Sequence, residues 1–160
     1  LNFAQQTGAR IVFTLAYVRH TRGESSGENH TMNDIQDWDS RNARRFLEYT
    51  YAKTKNAGGT VYGFELGNEL RHKKKISNIT RVVNAYKELG DMICEIWGDT
   101  YLRPKLLGPA STGVGETSDL LSQIGPYIQI ASYHKYHGGG KDPKLPSYAQ
   151  YPSFYPHPMK

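Results

Sequence analysis

The chain has 160 residues and a net charge of +5, from 20 Lys and Arg against 15 Asp and Glu. Its apolar content of 38% lies below the ~45–50% of ordinary globular domains, and no run approaches the ~18–20 apolar residues of a membrane span. A single cysteine, Cys94, excludes an internal disulfide and, in an apolar helical stretch, is expected as a buried small hydrophobe. Tyr is used 12 times against 5 for Phe, a composition suited to wet grooves where aromatic faces meet a polar ligand. The basic balance favours anionic partners, and Arg71, Lys73, Lys74 and Lys75 concentrate part of it. No helix-turn-helix, RNA-recognition or zinc pattern accompanies it, so no nucleic-acid partner is expected. No phosphate-binding glycine motif follows any strand, so no nucleotide cofactor is implied, and no metal is implied either.

The chain opens with Leu1 in place of Met and has no signal-peptide pattern. It reads as the middle of a helix ending at Gly8, and the natural protein is expected to begin earlier. Residues 9–16 form an apolar run of strand length. Its lack of alternation predicts a parallel strand covered on both faces. A polar loop spans residues 19–36. Asp39 or Ser40 then caps a helix whose core stripe is Ala43, Phe46, Leu47 and Tyr51, closed by the glycines at 58 and 59. Residues 60–66 are a second strand, running into Gly67, Asn68 and Glu69.

A helix over 78–98 carries the stripe Val82, Val83, Tyr86, Leu89, Ile93 and Trp97. Residues 105–108 are a third strand, 118–124 a short helix, and 127–133 a fourth strand. The β-α-β-α-β-α-β order predicts a parallel sheet wrapped by helices. After residue 137 the pattern collapses. Residues 138–160 carry three consecutive glycines and five of the chain's eight prolines and read as an irregular tail, set apart from a domain over 1–137. Two Asn-x-Thr sequons, at Asn29 and Asn78, can carry glycans in a secreted protein.

The segment Phe64-Glu65-Leu66-Gly67-Asn68-Glu69 is where chemistry is expected. It sets a carboxyl and an amide at the C-terminal end of a buried strand, the catalytic face of (β/α)8 barrels. There a carboxyl can protonate a glycosidic oxygen and then deprotonate water, while the amide binds a sugar hydroxyl. Glu69 reads equally well as an exposed loop acid. Glu65, inside the strand, reads as a buried carboxylate paired with Lys or Arg of a neighbouring strand.

Leu66-Gly67-Asn68-Glu69 resembles the acid/base signature of retaining barrel glycosidases, and the chain is closest to the heparanase-like β-glucuronidase family. Trp38-Asp39-Ser40 with Asn42-Ala43 and Leu47-Glu48-Tyr49 is similar to that family's preceding helix. Leu107-Gly108-Pro109 resembles its next strand end, and Tyr133-His134-Lys135-Tyr136 its aromatic-His-x-Tyr segment.

The resemblance implies a parallel (β/α)8 TIM barrel represented by strands three to six, with the remainder of the barrel missing. Glu69 would be the catalytic acid/base, and Asn68, His134 and Tyr136 would bind substrate. The nucleophile would lie on a later strand, outside this sequence; Gly115-Glu116-Thr117 matches the family's nucleophile motif only by coincidence of composition. The implied substrates are β-linked, uronic-acid-containing glycans, anionic ones included. The implied location is secreted, extracellular or lysosomal, with membrane association through segments not in this sequence. Two departures stand out: Leu70 replaces the usual Pro, and residues 111–117 hold no Lys or Arg where a heparan-sulfate enzyme is basic. A catalytically inactive barrel that binds glycan or builds an extracellular assembly is the competing expectation.

Overall fold

In the computed structural model, residues 1–17, 38–56, 58–69, 78–111 and 114–134 are described. They form an α/β unit: α1 (Asn2–Thr7), β1 (Ile11–Leu15), α2 (Ser40–Thr54), β2 (Val61–Leu66), α3 (Ile79–Trp97), β3 (Lys105–Ser111), α4 (Val114–Ile124) and β4 (Ile130–Tyr133). The four strands make one sheet in the order β1-β2-β3-β4, and all pairings are parallel. Strand order equal to chain order has a topological consequence. Right-handed crossovers that always step the same way leave every helix on the same face.

The helix face is the core. Phe64 of β2 packs against Phe46 of α2 and Trp97 of α3, with ring centroids 6.3 and 5.9 Å away. Phe13, Leu66 and Leu106 join them, as do Leu120 and Ile124 of α4. Of the expected caps, Asp39 is found, while α2 ends at Thr54 with Lys55 as its C-cap, ahead of the glycines expected to close it. Asp39 caps α2 by accepting the Arg41 N–H, and Asn78 caps α3 by accepting the Thr80 N–H. Gly8 and Gly98, both at positive φ, end α1 and α3.

Four expectations are corrected. First, β3 runs on through Pro109 and Ala110 to Ser111, because Ser111 still pairs with Tyr133 across a bulge. Second, α4 begins at Val114, four residues early, and β4 begins only at Ile130, since Tyr127 lies in the preceding turn. Third, β1 alternates instead of being covered on both sides: Leu15 is buried while Val12 is 42% exposed. Fourth, Cys94 is exposed. It follows the buried Ile93, and one residue turns a helix by about 100°, carrying the thiol off the core stripe.

The face opposite the helices carries Thr14, Gly63, Glu65, Leu107 and Ser132. Here Gly63 is obligatory: a Cβ on it would meet the Lys105 carbonyl oxygen at 2.6 Å and collide with Leu107 Cδ1. Glu65 and Ser132 stand on strands two apart, roughly 9.6 Å in a flat sheet, yet their side chains meet at 2.6 Å. That convergence belongs to a concave face.

Candidate active site

In a parallel sheet all strands end on the same side, so Tyr17, Asn68, Glu69, Ser111 and His134 gather at one rim. The backbone there is unusual. Gly67 leaves β2 at φ 74 and donates its N–H to the Leu15 carbonyl at 2.7 Å. Glu69 follows at φ 50, and its N–H donates to the carbonyl of Ala110 at 2.8 Å. Ala110 is itself at φ 49 and fully buried. Two non-glycine residues in the left-handed region, bonded to each other, cost of order 1–3 kcal/mol each and cluster at functional sites.

That backbone sets the Glu69 carboxyl 3.0 Å from His134 Nδ1. The pair is part-buried, with side chains 15% and 30% exposed. His134 is fixed from the neighbouring strand β3, since its N–H donates to the Ser111 carbonyl at 2.8 Å. With Glu69 ionised, Nδ1 must carry the hydrogen; with Glu69 protonated, the carboxyl donates to a bare Nδ1. The imidazole thus serves the carboxyl in both of the states that an acid/base residue visits.

Glu65 sits on the same concave face, below this pair. Among the described residues no cation stands beside it; its partners there are hydroxyls. Ser132 Oγ donates to Oε1 at 2.6 Å and Thr14 Oγ1 donates to Oε2 at 3.3 Å. Hydroxyls suffice because the carboxylate is only part-buried and needs donors more than a counter-charge. Tyr86 lies behind the sheet, fully buried, and donates to the Leu66 carbonyl at 2.9 Å. Burial, and then the Glu65 charge, push its phenol above the ordinary tyrosine range.

The site residues expected from sequence therefore divide. Glu69 and His134 meet, and Asn68 is exposed beside them at the strand end. Tyr136, Asn29, Leu70 and the Lys73–Lys75 cluster lie outside the described residues, as does the tail. Asn78 is exposed at the start of α3, its Oδ1 occupied by the cap. Gly115, Glu116 and Thr117 fall in the first turn of α4. Ser132, Thr14 and Ala110 went unread in the sequence, and only Glu65 carried a signal, as a second carboxylate in the same strand.

The profile of glycosyl hydrolase family 79, N-terminal domain, matches residues 1–158. The chain belongs to that family. Among curated relatives, it is 26% identical to the baicalin-beta-D-glucuronidase of Scutellaria baicalensis over 153 residues, 89% of this chain and 28% of that protein. It is 28% identical to heparanase-like protein 2 of Arabidopsis thaliana over 151 residues, 90% of this chain and 26% of that protein. The chain thus spans about a quarter of the length of these relatives. The parallel sheet with alternating helices is compatible with membership of that family.

Proposed function

We propose that the chain supplies the acid/base side of a retaining glycoside hydrolase acting on β-linked, uronic-acid-containing glycans. The observation that carries this reading is the Glu69–His134 pair at 3.0 Å on the strand-end rim of a family 79 domain. In the first step Glu69 gives its proton to the glycosidic oxygen while a second carboxylate attacks the anomeric carbon and the aglycone leaves. In the second, ionised Glu69 takes a proton from water, whose oxygen displaces the enzyme carboxylate and frees the sugar. Asn68, beside Glu69, is the donor for a sugar hydroxyl, and His134 and Tyr136 are assigned to the subsite near the nucleophile. The nucleophile itself belongs to protein beyond these 160 residues, in keeping with the quarter of the relatives' length matched here.

The same reading takes the four strands as part of a (β/α)8 barrel. In support, among the described residues the strand order never reverses, α2, α3 and α4 share one face, and the other face carries polar groups that converge. The uronic-acid preference is supported by the β-glucuronidase activity in one relative's name and by the basic charge of this chain. Secretion, to an extracellular or lysosomal location, is proposed on the two sequons, and residues 138–160 as a loop outside the barrel.

The test is Glu69→Gln in the full-length protein. Cleavage of an unactivated glucuronide or polysaccharide should fall by ~10²–10⁴, the usual contribution of general acid–base catalysis. The glycosylation step on an activated aryl β-glucuronide should be largely spared, because a good leaving group needs little protonation. Unchanged cleavage of the natural polymer would remove Glu69 from the role. Polymer binding with no hydrolysis by the unmutated protein would favour a glycan-binding barrel instead.

A further inference from the structure

Beneath the Glu69–His134 pair, the polar groups of the concave face form one directed chain. Glu65 Oε1 takes the only hydroxyl hydrogen of Ser132, at 2.6 Å. The Ser132 oxygen is then left to accept, and it accepts the N–H of Ala110 at 3.2 Å. The carbonyl of Ala110 accepts the N–H of Glu69 at 2.8 Å. Both backbone groups of Ala110 are thus engaged, one toward Glu65 and one toward Glu69. That double hold lies on a buried residue kept at φ 49, which an alanine does not adopt unaided. The second oxygen of Glu65 is tied to Thr14 on β1, so the carboxylate links β1, β2 and β4 and, through Ser132, reaches β3.

We infer that Glu65 and Ser132 are positioning residues for catalysis: through Ala110 they fix the backbone of Glu69, and so aim its carboxyl at the leaving-group oxygen. This rests on the reading of Glu69 as the acid/base. The role requires no contact with substrate. Their effect is geometric, and displacement of a catalytic group by as little as ~1 Å costs up to ~100-fold in rate. The effect must also be selective. A misplaced acid slows reactions that need protonation of the leaving group and barely touches those that do not. A general loosening of the fold slows both.

The experiment measures kcat/KM of the full-length protein on phenyl and 4-nitrophenyl β-D-glucuronide, for wild type, Ser132→Ala, Ser132→Thr, Glu65→Gln and Glu69→Gln. Ser132→Ala should lose roughly 10- to 100-fold on the phenyl substrate and less than about threefold on the nitrophenyl one. Ser132→Thr, which restores the hydroxyl, should return the phenyl activity to within about threefold of wild type. Glu65→Gln keeps an acceptor for Ser132 and should fall between Ser132→Ala and wild type; it also carries the test if Ser132→Ala does not fold. Equal losses on both substrates, or failure of threonine to rescue, would overturn the positioning role while a discriminating Glu69→Gln left the acid/base reading standing. A Glu69→Gln variant that did not discriminate would take both readings down.

Discussion

The rear wall of the site offers a sharp test of the packing argument. A Cβ added to Gly108 would collide with the Tyr86 hydroxyl and lie 2.7 Å from both Cε1 and Cζ of the ring, where carbon contacts settle at about 3.5–4.0 Å. Tyr86 is fully buried and has no open side to retreat to. Gly108→Ala should therefore cost about 1–3 kcal/mol in overpacking. It should cost a further ~1 kcal/mol through loss of the Tyr86 hydrogen bond to the Leu66 carbonyl, 2.9 Å long in the native packing. Tyr86→Phe alone should cost only the latter, about 1 kcal/mol. In the Gly108→Ala background, Tyr86→Phe should cost almost nothing, since the bond it removes is already broken. Urea unfolding of the four proteins closes the cycle, with an expected coupling of about 1 kcal/mol. Strict additivity, or an alanine at 108 with native stability, would refute the claim that Gly108 exists to admit the Tyr86 ring. Because Leu66 leads directly into Asn68 and Glu69, Gly108→Ala should also lower kcat.

At Asn78, Thr80→Val and Asn78→Asp should both abolish a glycan while keeping the helix cap, whereas Asn78→Gln should lose glycan and cap together. Mass measurement on protein from a eukaryotic secretory host reads the glycan; unfolding of unglycosylated protein should find only the glutamine variant weaker, by about 1 kcal/mol. On the helix face, Arg44 grips Glu95 through two bonds of 2.9 and 2.7 Å, and its hydrogen bond holds the Glu95 carboxyl below the ordinary carboxylate range. A pKa depressed on folding stabilises above the unfolded value and loses that contribution as pH falls through the folded one. The stability deficit of Arg44→Ala should therefore be present at neutral pH and vanish in acid, with the Glu95 titration by NMR moving up toward its ordinary value. A deficit that persisted unchanged below the carboxylate range would mean that Arg44 acts by packing.

The order of elements was legible in the sequence because its signals are local. Apolar spacing marked α2 and α3, Asp39 marked the start of α2, and glycines marked the ends of α1 and α3. Strand order followed from the βα alternation, and the Asn68-Glu69 pair declared itself by standing where a buried strand ends. What failed locally failed for a reason of the same kind. A run of apolar residues does not say whether both faces of a strand are covered, so β1 alternates unexpectedly. Pro109 reads as a stop, and only pairing with β4 carries β3 past it to Ser111.

The site needed the tertiary structure more. Glu69 and His134 are 65 residues apart, and Glu65 and Ser132 are 67 apart. A carboxylate in a strand predicts a partner but not its identity, and among the described residues its partners are hydroxyls. Nor does a glycine announce that it makes room for a tyrosine from a helix 22 residues earlier, or an alanine that it will be held at φ 49. The sequence by itself determined which segments become strands and which acid stands at a strand end, because periodicity and capping act within a few residues. Which groups meet on the concave face was decided by strand adjacency and sheet curvature, and both arise only when distant segments pack.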